Sequence, residues 1–159
     1  MKPRDLLKKY LISDIAPLVQ SFGFKYSASR LHFSRTNQNA RQVFSFSLSK
    51  WNSEDRCTFW TMWGVTSKSY AKWYKEQWGE FPVNNALGGD LDCNIMGWER
   101  GQDHYFHFYN VEADQHEIER LIKNILQVGI PFLDRVSTWE GAAEHFVKHK
   151  FMYRNVSMN

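Results

Sequence analysis

Two runs, Gln42-Val43-Phe44-Ser45-Phe46-Ser47-Leu48-Ser49 and Cys57-Thr58-Phe59-Trp60-Thr61-Met62-Trp63-Gly64-Val65, decide how the rest of the chain must fold. The first alternates strictly. Phe44, Phe46 and Leu48 fall on one side, and Ser45, Ser47 and Ser49 on the other, which is the period of a half-buried strand. The second is rich in β-formers and apolar on both sides. Asn52-Ser53-Glu54-Asp55 between them is turn chemistry, so the pair reads as an antiparallel hairpin.

The flanking segments can be placed by what would cover this hairpin. Leu7, Leu11, Ile15, Leu18 and Phe22 recur at helical spacing over residues 4–22, with Gly23 placed as a C-terminal cap. Pro17 implies a kink near Asp14. Short strands are expected at Phe24–Tyr26 and Arg30–Arg35, with Leu31 and Phe33 opposite Arg30, His32 and Ser34. Ser67 to Trp78 fits an amphipathic helix bearing Tyr70, Trp73, Tyr74 and Gln77. Residues 80–89, with Pro82, Asn84-Asn85 and Gly88-Gly89, read as loop. Cys93–Trp98 fits an extended segment, and Asp103–Tyr109 a strand in which His104, Phe106 and Phe108 alternate with Tyr105, His107 and Tyr109.

Residues 112–128 read as the clearest helix. Its stripe is Ile118, Leu121, Ile122, Ile125 and Val128, and acids sit at its N-terminal end. Gly129-Ile130-Pro131 ends or bends it. Ser137 or Thr138 would cap a final helix to about His149. The expectation is one α+β domain over residues 1–150: an antiparallel sheet of four to six strands, packed on one face by N- and C-terminal helices. Residues 151–159 would form a basic tail.

At 159 residues the chain suffices for one substantial core. Its seven Trp, seven Tyr and twelve Phe exceed what a core needs for volume, which puts some rings at a surface or groove. Two cysteines, Cys57 and Cys93, without a CxxC spacing, point to buried thiols in a reducing cytoplasm, with a Cys57–Cys93 pair as the alternative. The first ten residues mix charge into their apolar positions, unlike a signal peptide, and no run reaches membrane length.

The net charge of +3 is mild, but it is unevenly spread. Residues 24–75 carry nine Lys/Arg and two acids, and residues 76–119 one Arg and ten acids. Such a split either polarises the surface and steers a charged partner or is neutralised within the fold.

Strand parity places Ser45, Ser47, Arg30, His32, Ser34, Tyr105, His107 and Tyr109 on the sheet face away from the helices, with Trp60 and Met62 as further candidates. That face suits recognition, because its side chains bury area while offering donors. Alternatively, residues 67–98, with Trp73, Trp78 and Trp98, fold over it as a second core layer. The acidic stretch adds Asp90, Asp92, Glu99 and Asp103 beside Trp98. Partner-binding residues are therefore expected at Asp90, Asp92, Trp98, Glu99, Asp103, Tyr105, His107, Tyr109 and Trp60. Asp90 and Asp92 would sit in a loop that reaches outward.

No catalytic, cofactor-binding or metal-binding set is indicated. His104 and His107 should face opposite sides of a strand. His145 and His149 have a ligand spacing, yet no Glu follows His145 as a zincin motif requires. Asp90-Leu91-Asp92-Cys93-Asn94 opens like a calcium loop but has Ile95 where glycine is needed and Gly101 where the final Glu is needed. Walker and GxSxG motifs are absent.

The order of Ser21-Phe22-Gly23-Phe24, Leu31-His32-Phe33-Ser34-Arg35, the strand Gln42–Ser49, the strand Phe59–Val65, Gly97-Trp98 and Gly129-Ile130-Pro131-Phe132-Leu133 resembles the bacterial DUF4304 domain family. The resemblance covers about residues 5–146. The family has no assigned function and offers no catalytic residues to carry over. Families of this size and style also occur as immunity proteins beside polymorphic or contact-dependent toxins. That likeness implies a non-enzymatic inhibitor that binds one cognate toxin, within a broader reading of the chain as a cytoplasmic protein-binding module; many such inhibitors of basic nucleases are acidic, and only residues 76–119 of this net-basic chain fit that pattern. A nucleic-acid-binding domain using the basic aromatic face, or an enzyme of unrecognised type, are the alternatives.

Overall fold

The computed structural model describes residues 1–37, 40–82, 86–91 and 105–157, and of Ala86, Gly88, Asp90, Leu91 and residues 149–157 the backbone alone. Helix α1 (Pro3–Tyr10) runs through a π-helical turn (Leu11–Ile15) into α2 (Ala16–Gln20). Strands β1 (Lys25–Ser27), β2 (His32–Asn37), β3 (Ala40–Leu48) and β4 (Cys57–Ser67) follow, then α3 (Lys68–Trp78), β5 (Ala86–Leu91) and β6 (Phe106–Phe108). The chain closes with α4 (Asp114–Asn124), a second π-helical turn (Ile125–Gly129), α5 (Ile130–Arg135) and α6 (Trp139–Ser157).

The six strands form one antiparallel sheet in the order β1-β2-β3-β4-β5, and β6 also pairs with β4. The expected hairpin is its centre, with Phe44 opposite Trp63 and Phe46 opposite Thr61. β4 is long enough to serve two neighbours on its outer edge: Cys57–Phe59 pair with β6, and Met62–Thr66 with β5.

The core lies on one sheet face. Phe33, Phe44, Phe59, Trp63, Phe106 and Phe108 are buried there in a continuous net of ring contacts, among them Phe33–Phe44 at 5.0 Å and Phe44–Trp63 at 4.8 Å. Such pairs add stability beyond the area they bury. α1 and α5 lie against β4, and α4 against β6. Phe46 and Ile125 belong to the same cluster, with Leu48 packed at its margin.

Both helical covers use the same device. Leu7, Leu11, Ile15 and Val19 are all buried at every fourth position, as are Leu121, Ile125, Gly129 and Leu133. In an α-helix of 3.6 residues per turn, each step of four drifts by about 40° around the axis. A π-turn takes an extra residue into one turn and returns the row to the sheet. Each π-turn is followed, two residues on, by Pro17 or Pro131, which lacks an N–H and crowds the carbonyl four residues back. The expected kink near Asp14 is therefore present as a π-turn. The same shift moves the buried position from Leu18 to Val19, leaves Leu18 half-buried and exposes Phe22.

Gly23 takes the left-handed conformation (φ 87°). The bonds Gly23 N–H to the Gln20 carbonyl (3.0 Å) and Phe24 N–H to the Val19 carbonyl (3.2 Å) complete a Schellman cap. Ser67 caps α3 by accepting from the Tyr70 N–H at 3.3 Å, and Gly79 closes that helix at φ 75°. Thr138 caps α6 through the Gly141 N–H. α6 continues to Ser157, past the expected end at His149 and through most of the segment read as a tail.

Gly88-Gly89, read as loop, lies in β5 instead. A Cβ on Gly89 would stand 2.6 Å from the carbonyl oxygen of Trp63, so glycine lets the two backbones approach where the register shifts between Val65 and Thr66.

Candidate functional site

The sheet face away from the helices gathers part of the expected set. Trp60 and Tyr105 meet edge-to-face at 5.8 Å. His107 is half-buried, with Nδ1 2.9 Å from Thr58 Oγ1 and its backbone N–H donating to Glu117 Oε2 at 3.0 Å. Met62 is 41% exposed beside Ser47, whose hydroxyl donates to Sδ at 2.9 Å. Tyr105 and Tyr109 are both exposed. Arg120 lies 4.2 Å over the Phe106 ring and donates to Glu117 and to the Tyr105 carbonyl, holding the start of β6.

Of the acidic half of the expected set, only the backbone of Asp90 falls within the described residues. Asp90 is a strand residue whose backbone stands opposite Trp63, not part of an outward loop. Asp92, Trp98, Glu99 and Asp103 lie outside the described residues, as do Cys93, His104 and the extended segment Cys93–Trp98. Two other acids of the stretch serve the fold. Asp114 is buried and accepts from Tyr10 Oη (2.8 Å) and from the backbone N–H groups of Tyr109 (2.9 Å), Asn110 (2.8 Å) and Val111 (3.3 Å). Glu117 binds Arg120 and the β6 backbone.

Burial pushes the Cys57 thiol up to about 12, with the Asp114 charge adding to the effect, so this sulfur is a core atom rather than a nucleophile. The half-buried His145 ring sits edge-on to Phe132 at 4.8 Å.

A second surface lies outside the expected set. α3 buries only Ala71 among its eleven residues, although it carries Tyr70, Trp73, Tyr74 and Trp78. Those rings touch one another and Trp139 at the start of α6: Tyr74–Trp78 at 4.7 Å, Trp73–Trp139 at 5.2 Å, Trp73–Trp78 at 5.4 Å and Tyr70–Trp139 at 5.6 Å. Trp73, Trp139 and Trp78 are nevertheless 36%, 42% and 59% exposed. Lys68 and Lys72 are exposed on the same helix, and Lys75 lies 4.5 Å over the exposed Phe81 ring. The sequence signal was present: Lys68–Trp78 contains no Leu, Ile or Val, so its rings had no aliphatic partners with which to form a core stripe.

A third feature braces β2 and β3 to α5. Gln42 is fully buried. Its Oε1 accepts from Arg35 Nε at 2.7 Å, and its Nε2 donates to Asp134 Oδ1 (2.9 Å) and Ser137 Oγ (2.8 Å). Arg35 completes the set with an ion pair to Asp134 Oδ1 at 2.9 Å and a bond to the Phe22 carbonyl at 2.8 Å.

The architecture defines a single-sheet α+β domain with partly exposed aromatic clusters on its outside. More particularly, the chain belongs to the family described as a domain of unknown function, DUF4304, whose model matches residues 15–135. The match runs from the first π-turn to the end of α5, and Trp139 lies just beyond it. No curated protein and no solved structure matches the chain. Among the described residues no helix is long and apolar enough to cross a membrane.

Proposed function

We propose that this protein is a non-enzymatic protein-binding module that contacts its partner through the aromatic patch of α3 and Trp139. One observation carries the reading: α3 buries a single side chain, while its Tyr and Trp rings and Trp139 form a connected, partly exposed cluster. A helix with so little internal packing gains little from those rings until something covers them. Trp and Tyr supply large buried area with few torsions to freeze, which is why they dominate binding hot spots. Lys68 and Lys72 at the edge favour a partner with acidic groups at its rim. The sheet face of Trp60, Tyr105, His107 and Tyr109 supplies a second, smaller contact surface.

The narrower form of this reading is an immunity protein that neutralises a cognate bacterial toxin in the cytoplasm. It rests on the family's size and style alone, which resemble those of immunity-protein families. The direct test is affinity capture from the source organism after nuclease treatment, with crosslinking and mass spectrometry. Retention of one protein in near-stoichiometric amount, crosslinked to Lys68 or Lys72, supports the module. Retention of nothing beyond background sinks it.

A nucleic-acid reading is favoured by one specific feature, the interleaving of lysines and rings on α3, which is suited to stacking bases along a strand. Such binding would weaken steeply with added salt, because neutralised phosphates release counterions. Sub-micromolar binding of a single-stranded oligonucleotide at physiological salt, abolished by Trp73→Ala and Lys72→Ala, would replace the protein-module reading.

A further inference from the structure

Where the ends of β2 and β4 approach the α5–α6 junction, an open cavity of about 570 Å³ is lined by Arg35, Ser67, Ser69, Asp134, Ser137 and Trp139, among others. Its volume lies within the range of about 300–1,000 Å³ typical of small-molecule sites. Its wall is unusually well fixed. The buried Gln42 amide grips both members of the Arg35–Asp134 pair, so neither can swing away without breaking a buried hydrogen bond. Among the described residues, both bonds to Asp134 end on Oδ1, which leaves Oδ2 able to accept at a half-exposed position. Arg35 uses one N–H of each terminal nitrogen and keeps the second on each.

The chemistry of this wall selects by exclusion. An anion would meet the Asp134 carboxylate, and a cation the Arg35 guanidinium. A purely apolar ligand would strip water from both charges without replacing their hydrogen bonds. Among ligands without formal charges, the one that matches carries adjacent hydroxyls that each donate and accept, and has one apolar side for the indole. A sugar ring has these properties: one hydroxyl can donate to Asp134 Oδ2 while its neighbour accepts from Arg35, the exposed Ser69 hydroxyl serves a further group while Ser67 and Ser137 stay bonded within the fold, and the C–H side lies on Trp139.

We propose that this cavity is a binding site for a saccharide, with Asp134 and Arg35 reading a pair of hydroxyls and Trp139 stacking the ring. The site is independent of the protein-partner reading, although Trp139 borders both surfaces.

The test is saturation-transfer NMR with a fixed panel of probes: glucose, galactose, mannose, ribose, N-acetylglucosamine and their common disaccharides. The wild-type chain is compared with Trp139→Ala, with Ser69→Phe, which places a ring in the cavity from an exposed position, and with Trp78→Ala, which alters only the neighbouring patch. Proton NMR of each variant verifies its fold. Transfer to at least one sugar is expected, about tenfold weaker or worse in Trp139→Ala and Ser69→Phe and unchanged in Trp78→Ala. The proposal is overturned if no sugar of the panel shows transfer, if transfer survives Ser69→Phe, or if tetramethylammonium or inorganic phosphate displaces the sugar by occupying the cavity itself. Loss of a cognate protein partner in Trp78→Ala with sugar transfer intact would show that the two surfaces act separately.

Discussion

Gly129 lies against the indole of Trp63, so closely that a Cβ at position 129 would overlap the six-membered ring. That contact sets the second π-turn down on the middle of β4. Trp63 cannot retreat, because it is buried and stacked on Phe44. Gly129→Ala is expected to destabilise the domain by about 1–3 kcal/mol, the range of overpacked cores. Urea denaturation would show it as a lower midpoint with an unchanged slope. A neutral result would mean that the helix can slide on the sheet.

Phe46→Ala should cost about 3–5 kcal/mol, because its ring is buried among Phe33, Phe44 and Phe59 and leaves a cavity that β-sheet neighbours fill poorly. Thermal or chemical denaturation measures this directly. A loss below about 1 kcal/mol would mean that the face assignment of β3 is wrong.

Asp114 and Tyr10 tie the first helix to the loop before α4. Burial, then the bond to Asp114 and its charge, push the Tyr10 hydroxyl up to about 12. The folded state therefore favours the neutral phenol. Its stabilising contribution is complete below the unfolded pKa of about 10 and is lost as pH rises from about 10 towards about 12. Denaturation midpoints across that window should fall more steeply for the wild type than for Tyr10→Phe. Equal slopes would show that the bond does not form. Asp114→Ala, which strands buried N–H groups, should cost about 2 kcal/mol or more.

Cys57 should be inert in the folded protein. It is fully buried and its thiolate is disfavoured. In a Cys93→Ser background, reaction with Ellman's reagent is expected to follow global unfolding. Fast labelling under native conditions would contradict the core placement.

The fold was legible wherever one periodicity met one environment. Phe44 and Phe46 alternate against serines, and Phe106 and Phe108 against Tyr105 and His107, so parity alone gives their faces. The structure bears this out, together with the α+β class and the single antiparallel sheet. Pro17 signalled a helix defect but not its type. A π-turn changes which residues face the core, and that one-residue shift decides between Leu18 and Val19 without leaving a mark on composition. Gly88-Gly89 carries turn chemistry locally, yet its role is set by the Trp63 backbone across the ladder, which only tertiary pairing reveals. The candidate surfaces were less legible for a similar reason. Trp73 and Trp139 are far apart in the chain and meet because α6 begins beside α3. The Arg35–Gln42–Asp134 centre likewise joins residues on β2, β3 and α5.

A protein partner seated on the α3–Trp139 patch is tested by its dissociation rate after capture, measured by surface plasmon resonance from the wild type, from Trp73→Ala/Trp78→Ala and from Trp60→Ala. The rate is expected to rise about tenfold or more in the α3 variant, with folding stability nearly unchanged, and to change less in Trp60→Ala. An unchanged rate in the α3 variant, with rapid release from Trp60→Ala, would contradict this placement and move the binding site to the Trp60–Tyr105 sheet face.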